Sequence, residues 1–460
     1  MSLPLEKARM AEHSNKPRQE ATIESKSPTE IIKQGMYHLL FPEGLEICPN
    51  LSEVYELALA YYESRILTTK ELIDNSAYFV KADNELTRHY CICTGDPVKI
   101  PDYSSSRLKS FFVQNQFRTG YATHGFFPYR GKFHPQMIKA VINIMGVKPG
   151  DTLLDPMMGS GTAPVEACLM GIKAIGMDSS PFCRFMAQAK FDALTINPED
   201  LERFMGKAEI LFSDFKACPA VFDQQKALFL EKYQDIERIE REKIFNVLFL
   251  AFLDSDGYAQ RSNRKTHLEY FQSIFERYSA AVKKIAGVLS HFNMIPAQTI
   301  LTQGDARHLD IEANSIDGII FSPPYSFAID YLENDLPHLK YFETNIPKLS
   351  ETMIGMRGKS LKEKYGLYLE DMEKVISECS RVLKKGRMCS IIIGTNDNQL
   401  SKALNIQKEA VVGLHKVVTE IGKQKGLVHV RSLPRQIVGM ANTMRQEYIV
   451  ILQKQEGQIN

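Results

Sequence analysis

Residues 150–178 read GDTLLDPMMGSGTAPVEACLMGIKAIGMD. This stretch decides the fold. Residues 151–156 (DTLLDP) form a short apolar strand, 160–171 (SGTAPVEACLMG) a helix closed by glycine, and 172–178 (IKAIGMD) a second strand. A strand, a crossover helix and a second strand make the repeating unit of a parallel sheet.

The same alternation continues outward. Residues 134–146 (HPQMIKAVINIMG) make an amphipathic helix, and 180–190 (SPFCRFMAQAK) another. Further strands are expected at TILTQGDA (299–306), DGIIFSPPY (317–325), RMCSIIIG (387–394), VHVRSL (428–433) and EYIVILQK (447–454). Helices are expected over 369–386 and 405–426. Short apolar strands between amphipathic helices imply a sheet covered on both faces. The last two strands have no helix between them, so they pair antiparallel. The expected fold is α/β, a Rossmann-like, mostly parallel seven-stranded sheet with an antiparallel last strand.

The expected organisation is a flexible polar arm (1–30), an accessory, mainly helical unit (31–120), and a catalytic domain split over 121–195 and 296–460. The gap is filled by a charged helical insertion (196–295), the candidate target-recognition region. Within the accessory unit, Ser52 and Thr69 are candidate helix caps.

Lys and Arg number 56 against 55 Asp and Glu, a formal net charge of +1. Bulk charge therefore draws in no polyanion, and nucleic-acid binding would need local basic patches. No apolar run is long enough to cross a membrane. The eight cysteines are scattered, with no zinc spacing, which fits a reduced, cytoplasmic chain without a bound metal.

Four motifs carry chemistry. Asp155-Pro156-Met157-Met158-Gly159-Ser160-Gly161-Thr162 lies where a strand becomes a helix. Glycines there admit a ligand close to the backbone, and the helix N-terminus favours an anionic group. Asp178 ends the next strand, where a carboxylate can accept both hydroxyls of a ribose. Read alone it is equally a helix cap. Asp305 ends the third strand and can take an adenine amine; read alone it is a turn carboxylate. Ser322-Pro323-Pro324-Tyr325 follows the fourth strand. Consecutive prolines stiffen the turn and donate no N–H, leaving carbonyls and the Ser322 hydroxyl as acceptors for an NH2 group. Tyr325 offers a face on which an extruded base can stack.

Together these motifs resemble the class I S-adenosylmethionine-dependent DNA amino-methyltransferases. SPPY resembles the version associated with cytosine N4 enzymes. Residues 127–136 (FPYRGKFHPQ) resemble a further family segment, and the likeness covers about 125–190 and 298–454. The resemblance implies S-adenosyl-L-methionine as cofactor. Lys132, Phe133, His134, Pro135, Asp155, Pro156, Gly159, Ser160, Gly161 and Thr162 would lie at its methionine end, Asp178 at the ribose and Asp305 at the adenine. Ser322, Pro323, Pro324 and Tyr325 would hold the target base. It also implies double-stranded DNA as partner, with the target base flipped out, and a cognate restriction endonuclease.

For contacts to DNA the candidate segment is 257–267, with Tyr258, Gln260, Arg261, Arg264 and Lys265. It combines cations for phosphates with groups that reach base edges. A solvated helix face is the equal alternative. No Pro-Cys dipeptide is present, which disfavours covalent attack of the cytosine-C5 kind. The competing readings are an adenine-N6 enzyme, a tRNA guanosine-N2 enzyme and a catalytically silent scaffold. The intact glycines and SPPY argue against the last.

Overall fold

A computed structural model describes residues 37–49, 51–113, 119–129, 131–217, 221–262, 264–324, 331–436 and 446–456. The expected arm (1–30) and Tyr325 lie outside them.

The accessory unit contains α1 (Tyr37–Leu40), β1 (Leu45–Ile47), α2 (Val54–Ile66), α3 (Thr69–Asn75), β2 (Phe79–Ala82), β3 (Glu85–Leu86), α4 (Arg88–Cys93) and α5 (Ser106–Val113). The strands form a small antiparallel sheet in the order β1-β2-β3, which helical periodicity alone did not suggest. The caps fall beside the expected residues, at Glu53 and Thr68. Each is the first residue of a capping box, closed three residues on by Glu56 and Glu71. Glu63 is fully buried and accepts from Ala77 N and from Nδ2 of Asn143, which stands on the helix Pro135–Ile144, tying the unit to the main domain.

The main domain runs α6 (Pro135–Ile144), β4 (Thr152–Asp155), α7 (Thr162–Leu169), β5 (Lys173–Asp178) and α8 (Pro181–Asp192). The insertion follows as α9 (Pro198–Glu202), α10 (Ala208–Ala217), α11 (Phe222–Lys232), α12 (Arg238–Arg261) and α13 (His267–His291). The sheet resumes with β6 (Thr299–Gln303) and β7 (Ile316–Phe321). Then come α14 (Tyr331–Leu339), α15 (Ile346–Thr352), α16 (Leu361–Val382), β8 (Leu383–Gly394), α17 (Asp397–Leu404), α18 (Leu414–Gln424), β9 (Leu427–Gln436) and β10 (Gln446–Lys454).

The seven strands are ordered β6-β5-β4-β7-β8-β10-β9. Pairing is parallel from β6 to β8, and β10 runs antiparallel between β8 and β9. This is the class I methyltransferase fold that the resemblance implied, with the parallel α/β sheet that the alternation of elements required.

Side chains divide between the two faces by strand alternation. Leu153, Ile320, Ile392, Ile449 and Ile451 pack with α6, α7 and the accessory unit. Leu154, Ile319, Ile391, Ile393, Val450 and Leu452 pack under α16, α17 and α18. Each such side chain contributes roughly 1.5–3 kcal/mol by leaving water. The insertion adds a Phe-rich core, with Phe204, Phe215, Phe245 and Phe249 buried together with Phe185 of α8.

Two segments depart from expectation. Residues 383–386 belong to β8, not to the preceding helix. Leu383 pairs with Ile316, the register slips, and pairing resumes at Met388 with Gly318. Gly386 adopts φ +75 in this slip, so the glycine serves a strand irregularity instead of ending a helix. Over 405–426 only Leu414–Gln424 is α-helical, beginning where Thr395 Oγ1 accepts from Leu414 N.

Candidate active site

Strand order builds the site. β4 lies between β5 and β7, where the chain direction of successive crossovers reverses. A ligand crevice is expected at the carboxyl ends of the strands at this switch point. Across that edge lie Asp305 beyond β6, Asp178 at the end of β5, the glycine turn beyond β4, and Ser322 beyond β7. One cleft is lined by Pro156, Met157, Gly159, Asp178, Gly304, Asp305, Ser322 and Pro324, among others. The diproline corner and the glycine turn thus share a single cavity.

Backbone geometry explains the glycines. Gly159 and Gly161 have φ +48 and +77, a region that a side chain rarely tolerates. A Cβ on Gly161 would lie 2.7 Å from Ala187 Cβ on α8. Gly161 also caps α7, and Thr162 begins that helix. Ser160 and Thr162 are buried, with their hydroxyls 3.4 Å apart. Beneath the turn, the buried Lys190 donates to the Ser160 carbonyl at 3.1 Å. Burial drives its amine well below the usual lysine range.

Asp178 braces the turn. Its Oδ2 accepts from Gly159 N and its Oδ1 from Ser180 N, both at 2.9 Å. Burial raises its pKa, against the pull of these backbone donors. Asp155 is buried too, with Oδ1 accepting from Met157 N and Oδ2 without a partner. Burial pushes its carboxyl well up, and the charge of Asp178 adds to this.

Asp305 is held by Arg307, whose Nε and Nη2 reach both carboxylate oxygens at 2.7–3.1 Å. Burial raises its pKa, but these hydrogen bonds and the guanidinium charge outweigh it and hold the carboxyl low. Arg307 also donates to the buried Asp371 and to the Thr352 carbonyl, so it fastens Thr352, Met353 and Ile354 to the cleft wall.

Of the segment 127–136, Tyr129 and Gly131 line the cleft. Lys132, Phe133, His134 and Pro135 stand elsewhere. Lys132 Nζ donates to the Thr119 and His124 carbonyls, because the loop needs those carbonyls satisfied. Phe133 packs on the core around α6, where His134 is the cap and Pro135 the first residue.

Cys183 and Asp335 are among the lining residues not picked out from sequence, whereas Tyr129 belongs to the segment 127–136. Asp335 is 4% exposed and sits on α14. Cys183 Sγ lies 3.3 Å from Tyr129 Oη and 3.9 Å from Asp335 Oδ2. Burial, together with the Asp178 charge, pushes the Asp335 carboxyl up to about 7.

The candidate DNA segment lies at the α12–α13 junction. Tyr258 stacks on Tyr270, and Arg261 lies over the Tyr258 ring. Gln260 donates to Asp256, Lys265 to Ser273, and Arg264 is exposed. Arg261 also faces a chamber adjoining the cleft.

The residues present fit S-adenosylmethionine. Gly159 brings backbone to the cleft wall, where an added Cβ would lie 3.4 Å from Tyr129 Cε1, the Asp178 carboxylate lines the same cleft, and one oxygen of the buried Asp155 has no partner. Bound there, the cofactor supplies an electrophilic methyl carbon on a sulfonium. The fold and this cleft define an S-adenosylmethionine-dependent methyltransferase.

Residues 126–209 match the UPF0020 family, the RMKL-like methyltransferase domain. The type II methyltransferase M.MjaII of Methanocaldococcus jannaschii is 24% identical over 445 residues, covering 71% of this chain and 78% of that protein. The type II methyltransferase M.BsoBI of Geobacillus stearothermophilus is 22% identical over 286 residues, covering 52% and 56%. A tRNA (guanine(10)-N2)-dimethyltransferase of Methanothermobacter thermautotrophicus is 42% identical over 52 residues, covering 11% of this chain and 16% of that one. A solved S-adenosylmethionine-dependent methyltransferase of Methanosarcina mazei overlays 68% of this chain and 97% of its own, at 11% identity and a TM-score of 0.31.

Among the described residues, no group of three or more His, Cys, Asp or Glu could hold a metal ion. Nor is any helix there long and apolar enough to cross a membrane.

Proposed function

We propose that this methyltransferase acts on DNA, transferring the methyl group to the exocyclic N4 of a cytosine flipped out of the duplex. One observation carries the reading: Ser322 and Pro324 share a cleft with Gly159 and Asp178. The amine lone pair is delocalised into the ring, so the amine is a weak nucleophile. Acceptors that take its two protons favour the pyramidal form needed for in-line attack. The Ser322 hydroxyl and the carbonyls of the diproline corner are such acceptors, and Tyr325 is assigned the stacking face. The cofactor, when bound, would supply the methyl group, while Ser322 and the diproline carbonyls would hold the amine in line and the proton it gives up would pass to solvent water.

DNA as substrate is supported by the two type II relatives, which align over much of the chain. The tRNA enzyme aligns over 52 residues only. The type II setting also suggests a cognate restriction endonuclease as partner and a place in the cytoplasm. In the same reading, Asp155, Gly159 and Gly161 hold the methionine end of the cofactor, Asp178 the ribose and Asp305 the adenine. The segment 257–267 meets the DNA.

The test is nucleoside mass spectrometry after incubation of DNA and RNA with methyl-labelled S-adenosylmethionine. N4-methylcytosine is the expected product. N6-methyladenine would select an adenine enzyme and N2-methylguanosine an RNA one. Ser322→Ala should lower kcat roughly 100-fold, on the scale of losing one transition-state contact, while cofactor affinity stays within about threefold. Undiminished kcat in that variant removes Ser322 from the site.

A further inference from the structure

A second chamber adjoins the cofactor cleft. It is lined by Phe127, Asp254, Arg261, Asp335 and His338, among others, and shares Tyr129 and Asp335 with the cleft. Two buried polar atoms on its walls have no partner: Asp254 Oδ1 and His338 Nδ1. A closed apolar wall would not leave such atoms unsatisfied, because each costs free energy unless a ligand or water meets it.

The chamber walls are stiff. Tyr278 Oη donates to Asp254 Oδ2 and accepts from Phe127 N, while Phe126 stacks on the Tyr278 ring at 3.8 Å. Arg277 completes the brace by donating to Asp254 Oδ2. Phe127 is held at φ +53, a conformation a bulky residue adopts only when its surroundings impose it. Arg261, exposed at the end of α12, stands at the chamber mouth.

We propose that the extruded base sits where this chamber opens into the cleft, its amine toward Ser322 and Pro324, and that Asp335, which lines both spaces, reads the edge on which an exocyclic amine adjoins an unprotonated ring nitrogen. The inference rests on the amino-methyltransferase reading and adds a specificity-determining residue to it. A neutral carboxyl has one donor and one acceptor side by side. Its carbonyl accepts one amine proton, leaving the other for the Ser322 hydroxyl or a diproline carbonyl, while its O–H donates to N3 of cytosine or N1 of adenine. Guanine presents two adjacent donors, N2–H and N1–H, and meets a neutral carboxyl with a clash of donors. The chamber therefore selects cytosine or adenine over guanine.

The surroundings hold Asp335 protonated below about pH 7. Burial pushes its carboxyl up to about 7, and Asp178 at the end of β5 adds repulsion. Cys183 and Ser180 pull weakly the other way. Tyr129 carries no charge at neutral pH, since burial drives its phenol well up. His338, on the same helix, is neutral because burial lowers it to about 4. Across the chamber Asp254 is also raised by burial.

The experiment measures kcat/KM for unmethylated plasmid DNA with methyl-labelled S-adenosylmethionine, between about pH 6 and 9. Wild type should lose activity as pH rises through about 7, where Asp335 ionises. Asp335→Ala should lower kcat/KM roughly 10- to 100-fold at the acid end, the scale of a bidentate base contact. Asp335→Asn retains one donor and one acceptor but cannot ionise. It should recover most of that loss and lack the alkaline fall. An Asn variant as impaired as Ala, or one that keeps the wild-type alkaline fall, overturns the inference while the methyltransferase reading stands. Wild type that transfers no label to DNA overturns both.

Discussion

At the residue scale, the glycine turn tolerates no side chain at one position, for two separate reasons. Gly161 sits at φ +77, and an added Cβ would lie 2.7 Å from Ala187 Cβ. Gly161→Ala should therefore cost about 1–3 kcal/mol in strain and weaken cofactor binding at least tenfold. Thermal unfolding and cofactor titration together check this; an unchanged affinity would show that the turn does not contact the cofactor. The residues of this turn were legible in the sequence because glycine carries its meaning locally. Cys183 and Asp335 were not. Each is an ordinary residue in an ordinary segment, and only the packing of α8 and α14 brings Asp335 within 3.9 Å of Cys183. Arg307 escaped notice for the same reason: its pairing with Asp371 spans 64 residues. Lys132 to Pro135 illustrate the converse, a motif whose expected lining role passes to its neighbours Tyr129 and Gly131.

At the element scale, α7 does more than carry the glycine turn. Its Glu166 is fully buried and accepts from Tyr121 Oη at 2.6 Å and His124 Nε2 at 2.7 Å. These donors fix the loop that precedes Phe127 and Tyr129. Burial lowers His124 to about 4, so it serves as a neutral N–H donor. Glu166 remains a carboxylate: burial raises it, but the His124 hydrogen bond and nearby cations more than offset that. The sign of the pH effect follows. A histidine whose pKa falls from 6.5 unfolded to about 4 folded contributes stability that is lost as pH drops through that window. The loss for His124 is on the order of 3 kcal/mol. Gln at 124 can donate to Glu166 but cannot titrate. Between pH 6.5 and about 4, wild type should lose ~3 kcal/mol more than His124→Gln in denaturant unfolding, and parallel curves would refute the assignment. Elements themselves were legible where periodicity was strong, as in β4, α7 and β5. They blurred where tertiary pairing decides: Leu383–Gly386 joins β8 because β7 offers a partner, whatever its helical neighbours suggest.

At the scale of the whole molecule, charge separates two kinds of binding. A net charge of +1 supplies no general attraction for DNA, so any affinity must come from local cations. The insertion is anchored by aromatic packing against α8, with Phe185 and Phe249 rings 5.7 Å apart, which leaves its α12–α13 junction standing beside the chamber. Arg264 and Lys265 are exposed there, and Lys265 donates a hydrogen bond to Ser273 on α13. If both meet phosphates, each releases about one counterion on binding. The double variant Arg264→Ala, Lys265→Ala should then weaken DNA binding and flatten the plot of log affinity against log salt by about 1–2. Cofactor affinity should not move, since neither residue lines the cleft. A salt slope identical to wild type would place the DNA on another face and return this junction to the role of a solvated helix turn.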